Sequence, residues 1–172
     1  ADDSVVRSIG VGMLPHSVSE LREYLSRPRE PALPHFFINA RADDGARVAG
    51  GIGLARSGSD VELGYWIAPS CRGLGYGLEA VRAVLELMPM LGHSQIIAAH
   101  FDDNEASAHV LKQAGFQPTE ERRTRYSVGR GEHASVRVYV ADLDEMRKHQ
   151  SVFSFATNHD GATSGVISST RK

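Results

Sequence analysis

The apolar and polar positions of the chain fall into short alternating runs and two helical stripes. Val61, Leu63, Tyr65 and Ile67 alternate with Glu62, Gly64 and Trp66, a period-two pattern that predicts a strand stopping at Pro69. Two earlier strand-like runs, residues 35–40 and 47–54, flank Asp43-Asp44-Gly45, which reads as a hairpin turn. Further on, Leu78, Val81, Leu85 and Met88 recur at spacings of three and four, with Glu79, Arg82 and Glu86 on the opposite side. That stripe predicts an amphipathic helix ending near Pro89. Residues 95–101 read as a short buried strand. Asn104 then caps a second helix through Ala106, Val110, Leu111 and Ala114, which Gly115 closes. Two last strands, residues 124–128 and 136–140, are joined by Gly129-Arg130-Gly131. Near the start, Ser17 is placed to cap a short helix, residues 18–25, which Pro28, Pro31 and Pro34 end.

Antiparallel strands, then strand, helix, strand, helix, then strands again predict a mixed-sheet domain of the α/β or α+β kind. The 172 residues suit one domain, placed at residues 1–150. Residues 151–172, rich in Ser, Thr and Gly, read as a poorly ordered tail whose Val152, Phe153 and Phe155 are able to dock on a sheet edge. A net charge of -2 argues against bulk nucleic-acid binding. No apolar stretch approaches the roughly 18 residues of a membrane span, and the acidic Ala1-Asp2-Asp3 is unlike a signal peptide. Cys71 is the single cysteine, so neither an internal disulfide nor a four-cysteine metal site is available. The eight histidines show no H-E-x-x-H spacing, and no metal is expected. These features predict a cytoplasmic protein with a processed or trimmed first residue.

The chemistry concentrates in Arg72-Gly73-Leu74-Gly75-Tyr76-Gly77, between a strand end and a helix start. Its glycines permit positive φ and close approach of a ligand, while the helix start offers unpaired N–H groups and a positive dipole end. A diphosphate fits there, and Arg72 can add a charge-assisted bond. The run is neither a P-loop nor G-x-G-x-x-G. On spacing alone, a tight connection whose glycines serve only packing stands level with the ligand reading.

Three separately spaced motifs narrow the choice. Residues 72–77 fit Arg/Gln-x-x-Gly-x-Gly/Ala; they follow Glu62-Leu63-Gly64-Tyr65-Trp66-Ile67 and precede Asn104-x-x-Ser107 and Val110-Leu111-Lys112-Gln113-Ala114-Gly115-Phe116. Over roughly residues 35–142 the chain resembles the GNAT (GCN5-related) N-acetyltransferases, and within them the RimJ/RimL-like ribosomal-protein-alanine acetyltransferases. The resemblance implies a twisted, mostly antiparallel sheet with flanking helices, whose central parallel strands splay to admit the pantetheine arm of acetyl-CoA. It implies that the backbone at Trp66 and Ile67 bonds the pantetheine amides and that Arg72, Gly73, Leu74, Gly75, Tyr76 and Gly77 hold the diphosphate. It also implies that Asn104 meets the arm and that Ser107 lies near the sulfur. Asp3-Ser4-Val5-Val6-Arg7 resembles the segment that follows the first strand and helix of that branch, so those elements are expected to be missing or atypical: either the chain is a trimmed version, or the tail or a partner covers the exposed edge.

Acetyl transfer to a primary amine needs a neutral nitrogen and a way to neutralise the leaving thiolate. Glu62 is the first candidate base, a salt-bridged strand Glu being the equal alternative; His100 is the second, with a structural histidine the commoner case. Ser107, in a helical first turn, is the candidate donor to the thiolate, or else a plain helix-start serine. Tyr126 is the rival donor, with core packing as its default. Lys112 is placed to reach the 3′-phosphate of CoA or to be merely solvated. Arg122, Arg123 and Arg125 either guide an acidic substrate region or protect a strand edge. Cys71 reads as structural and His109 as an ordinary helix residue. The implied activity is direct transfer in a ternary complex, by a monomer or homodimer, to a protein N-terminus or a small molecule such as an antibiotic or polyamine. A catalytically weak acyl-CoA-binding module is the alternative of another class.

Overall fold

The structure, a computed structural model, describes residues 30–42 and 45–148, together with Ser19, Arg22, Glu23 and Ser26. Six strands form one sheet: β1 (His35–Ala42), β2 (Gly45–Ser57), β3 (Asp60–Ile67), β4 (Gln95–Phe101), β5 (Gln117–Ser127) and β6 (Glu132–Asp142), in the order β1-β2-β3-β4-β6-β5. Helix α1 (Tyr76–Leu87) follows β3, and α2 (Glu105–Ala114) follows β4. Every neighbouring pair is antiparallel except β3 and β4, which are parallel. This is the mixed α+β architecture that the pattern predicts.

Both helices pack on one face. The buried Val81, Val84, Leu85 and Met88 of the α1 segment meet Leu111 and Ala114 of α2 over Ile52, Leu54, Leu63, Ile96, Ala98 and Tyr139 of the sheet. At roughly 1.5–3 kcal/mol per fully buried large aliphatic side chain, this packing, more than helix propensity, holds α1 in place. Strand alternation sends Glu62, Gly64 and Trp66 to the opposite face, along with Ile97, opposite Glu62, and the buried pair Phe101 and Val136. β2 approaches its neighbours closely through glycine: a Cβ on Gly51 would lie 2.6 Å from Trp66 Nε1, and one on Gly53 2.6 Å from His35 Nδ1.

The parallel ladder is short. Only Glu62 with Ile97 and Leu63 with Ala98 pair across β3 and β4. Beyond them the strands part, although β3 stays paired with β2 as far as Ile67 and β4 with β6 as far as Phe101. The result is a gap in mid-sheet between residues 64–67 and 99–101.

Several elements differ in extent from the sequence reading. β1 and β2 are longer than predicted, and β5 begins at Gln117 instead of Thr124. β5 is the outermost strand, so Gln117-Pro118-Thr119-Glu120-Glu121 shows no apolar alternation to read. α1 stops at Leu87, and Pro89 sits in a separate 3-10 turn, Met88–Leu91. α2 is as predicted: Asn104 Oδ1 accepts from the Ser107 N–H at 3.1 Å, and Gly115 ends the helix at φ 104°. Of the early helix, Ser19, Arg22 and Glu23 are helical; its Ser17 cap, Asp43 and Asp44, the segment at residues 3–7 and the tail at residues 151–172 lie outside the described residues.

Candidate functional site

The gap is bounded by two strand-to-helix connections. On the β3 side, Ala68 N–H bonds Ala49 O at 2.7 Å, the chain makes a 3-10 turn at Pro69–Cys71, and Arg72 is extended with Nε 3.4 Å from Ile67 O. Gly73 at φ 75° and Gly75 at φ 87° then adopt the left-handed conformation, which side chains other than glycine's disfavour. A Cβ at either would meet no atom within 4 Å, so the backbone lies open toward solvent. Gly75 is the N-cap of α1 and no side chain caps that end, leaving first-turn N–H groups for an external acceptor. Gly77 is buried, its Cβ position 3.5 Å from Tyr65 Cε2 and 3.6 Å from Ile67 Cγ1, so the first turn of α1 rests on the β3 lip of the gap. An open glycine backbone, an uncapped helix start and the exposed Arg72 fit a diphosphate.

On the β4 side, the Asn104 cap fixes the first turn of α2 and with it Ser107. Ser107 Oγ lies 3.1 Å from Tyr65 Oη, a contact that joins α2 to β3 across the gap. Burial pushes the Tyr65 phenol above its ordinary value, and the bond with Ser107 draws it partly back, so it is protonated throughout the neutral range. His100 stands two residues beyond Ala98 on β4, as Tyr65 stands two beyond Leu63 on β3; alternation puts both on the helical face. His100 is 6% exposed, its Nδ1 is 2.8 Å from Phe101 O, and its ring centroid is 5.2 Å from that of Tyr139. Its Nε2 is buried with no hydrogen-bond partner among the described residues.

The opposite face carries ion pairs. Arg125 donates from both terminal nitrogens to the two carboxylate oxygens of Glu62, whose side chain is 11% exposed. Arg123 reaches Asp60 at 2.9 Å, Ser57 Oγ at 3.3 Å and Glu121 at 2.6 Å. Arg122 bonds Asp102 at 2.7 Å, and Arg137 bonds the same carboxylate at 3.0 Å. The arginines of β5 are thus engaged by carboxylates rather than presented as a free basic patch.

Of the residues singled out from the sequence, Trp66 and Ile67 line one lip, Asn104 and Ser107 start α2 beyond the other, Arg72, Gly73, Leu74 and Gly75 form the open turn before α1, and Tyr76 and Gly77 begin that helix. Glu62 lies where the gap begins. Lys112 is exposed on α2. Tyr126, expected by default in the core, is 40% exposed, its ring edge-on to His133 at 5.2 Å; the phenol in reach of Ser107 belongs to Tyr65. The sequence reading missed Tyr65 as a site residue, and it singled out Arg125 within a basic cluster but not as the partner of Glu62. The alternation that placed Tyr65 on the face of Leu63 was a usable signal for the first; no local signal marked the second, 63 residues from its partner. Among the described residues no three His, Cys, Asp or Glu side chains gather as a metal site, and no helix is long and apolar enough to cross a membrane.

Comparison with known proteins follows the same geometry. Residues 1–117 match the family model described as the acetyltransferase (GNAT) domain. Among solved structures, the chain is similar to an acetyltransferase of the GNAT family from Bacillus anthracis at 18% identity and TM-score 0.64, over 83% of this chain and 84% of that one. It is similar to the spermidine N-acetyltransferase of Vibrio cholerae, solved with CoA and spermine, at 18% identity and TM-score 0.62, over 76% of this chain and 78% of that one. A ribosomal-protein-S5-alanine acetyltransferase from Vibrio fischeri aligns at 22% identity and TM-score 0.51, over 57% of this chain and 56% of that one. At these identities the structures establish the fold. No match to the chain was found among curated proteins.

Proposed function

The chain belongs to the GNAT acetyltransferase family, and from that premise we propose that it transfers the acetyl group of acetyl-CoA to a primary amine by direct attack in a ternary complex. The observation that carries this reading is the β3–β4 ladder that ends at Leu63 and Ala98 and opens between an uncapped glycine turn and an Asn104-capped helix. The turn at residues 72–77 takes the diphosphate, with Arg72 adding charge. The lip backbone at Trp66 and Ile67 meets the pantetheine amides, Asn104 meets the arm, and Lys112 meets the 3′-phosphate.

Ser107 then stands beside the thioester sulfur. The amine attacks the carbonyl, the C–S bond breaks with its electron pair on sulfur, and the Ser107 hydroxyl donates to the departing thiolate. Glu62 takes up the proton shed by the amine, directly or through water, and releases it to solvent, while solvent restores the proton that Ser107 gives to sulfur, so the products are the amide and the free thiol. Arg125 occupies one lone pair on each Glu62 oxygen and holds the carboxylate at the mouth of the gap; each oxygen keeps a second lone pair with which to accept a proton. His100, with its buried acceptor nitrogen, is the second candidate base. Tyr126 is the weaker candidate donor, because Tyr65 is the phenol already at Ser107. The acceptor is a protein N-terminus, as in the RimJ/RimL-like branch whose motif residues 62–67 echo, or a small amine. A compartment supplied with acetyl-CoA suits a cytoplasmic placement.

Two measurements test the reading. Acetyl-CoA stabilises the folded chain against heat, by roughly 2.7 kcal/mol at a hundredfold excess over Kd; no shift at millimolar acetyl-CoA overturns the proposal. Release of free thiol with a panel of spermidine, small amino acids and an alanine-terminated peptide identifies the acceptor, and binding without release on any of them leaves a CoA-binding module instead.

A further inference from the structure

Nothing in the proposed chemistry explains why a tyrosine on one lip of the gap should touch the serine beyond the other. Tyr65 lies on β3 just past the last pairing with β4, and Ser107 is carried by the helix that follows β4. Their 3.1 Å contact is a side-chain hydrogen bond that spans the opening on the helical face. The Ser107 backbone N–H is already taken by Asn104, so the position of its Cβ is set and only rotation about Cα–Cβ and Cβ–Oγ remains. A serine hydroxyl in a first helical turn ordinarily folds back on nearby backbone groups. A phenol is a far stronger acid than an alkanol and is the better donor of the two. Burial reinforces this by keeping the Tyr65 proton on its oxygen.

We infer that Tyr65 is a positioning residue: its phenol donates to Ser107 Oγ and so directs the serine's own proton into the gap, toward the sulfur of the bound thioester. The inference rests on the acetyl-transfer reading and adds to it the group that preorganises its donor. Tyr65 gives up no proton in the reaction. With the serine lone pair occupied, the hydroxyl does not turn back on the helix and is aimed before the C–S bond breaks, so little reorganisation is needed at that moment.

The test uses the full chain and the variants Tyr65→Phe, Ser107→Ala and the double variant. Phenylalanine keeps the ring that packs on Gly77, and unchanged melting and CoA affinity by calorimetry establish that the site is intact. The first readout needs no acceptor: the thiol of bound CoA is titrated by its ultraviolet thiolate absorbance, enzyme alone subtracted. A hydroxyl donor favours the thiolate, so the bound thiol titrates lower in the wild type than in Tyr65→Phe or Ser107→Ala, by about one pH unit, or tenfold in the equilibrium. The double variant matches Ser107→Ala. The second readout is transfer to the best amine of the panel, or hydrolysis of acetyl-CoA if no amine serves. Tyr65→Phe lowers kcat about tenfold with KM for acetyl-CoA unchanged, and costs nothing further in the Ser107→Ala background. Losses that multiply in the double variant, or a Tyr65→Phe titration identical to the wild type while Ser107→Ala shifts, overturn the inference and leave the proposed function standing. A Ser107→Ala variant indistinguishable from wild type in both readouts removes the serine's role and the inference with it, and failure of CoA to bind overturns the function as well.

Discussion

The two helix starts that border the gap are built in opposite ways. α1 begins at Gly75 in a left-handed conformation with no side-chain cap and open space over its backbone. α2 begins at Asn104, whose Oδ1 takes the Ser107 N–H, while Ser107 Oγ is tied to Tyr65. The chain satisfies one end internally and leaves the other unsatisfied, although side-chain caps typically contribute about 1 kcal/mol each. An uncapped N-terminus suits a ligand anion, which supplies the missing acceptor; a capped one suits the placing of a side chain, because its first turn is already fixed. The same secondary-structure junction is therefore shaped to suit a ligand at one lip and a fixed side chain at the other.

Breaking the open end produces the largest effect. Gly75→Val places a branched side chain where φ is 87° and fills the space over the turn, so acetyl-CoA no longer raises the melting temperature or gives a calorimetric signal. A variant that keeps wild-type binding moves the ligand elsewhere. Next come the chemical groups: Ser107→Ala and Glu62→Gln each lower turnover by on the order of a hundredfold, Ser107→Ala with little change in acetyl-CoA affinity. Steady-state kinetics on a confirmed acceptor, with both variants within twofold of wild type, remove these roles and bring His100 forward.

Breaking the capped end has a smaller and different effect. Asn104→Ala removes one cap, about 1 kcal/mol, which lowers Tm by a few degrees in a domain of this size; turnover falls with it because Ser107 loses its fixed turn. Denaturation curves showing no loss of stability place the fixing of α2 elsewhere. The smallest effect is alkaline. Since the Tyr65 phenol is held above its ordinary value in the folded chain, the unfolded chain releases that proton first, and stability is full below about pH 10 and declines as pH rises beyond it. Urea melts between pH 8 and 11 show a shallower decline for Tyr65→Phe than for the wild type.

How much of this could be read from the sequence depended on whether the signal was local. The glycine turn was legible because Gly73, Gly75 and Gly77 are themselves the signal, and α2 because Asn104 and Gly115 mark its two ends. The central strands were legible because β4 is buried on both faces and β3 alternates. β5 was not, from Gln117 to Arg123, because an outermost strand is held by its ladder and by ion pairs such as Arg122 with Asp102 and Arg123 with Asp60, and charged residues in a row carry no period. The Arg125 clamp on Glu62 and the Tyr65 contact with Ser107 depend on how the sheet brings distant segments together, 63 and 42 residues apart. The family resemblance suggested the roles proposed for Glu62 and Ser107, and the sequence did not name the residues that hold them.

The two-pair ladder between β3 and β4 also divides the backbone amides by how readily they trade protons for deuterons. Amides of β3 that point toward β2, and those of β4 that point toward β6, are sealed by long antiparallel pairing and exchange only when larger units open. Those of residues 64–67 and 99–101 that point into the gap have no strand to receive them and exchange at the pace of solvent contact. On the proposed reading, a pantetheine arm in the gap takes the place of the missing strand and slows that subset, as a diphosphate on the turn slows the first amides of α1. Deuterium uptake along two short peptides thus reports occupancy of the gap directly, before any acceptor is known and whether or not a single acetyl group is transferred.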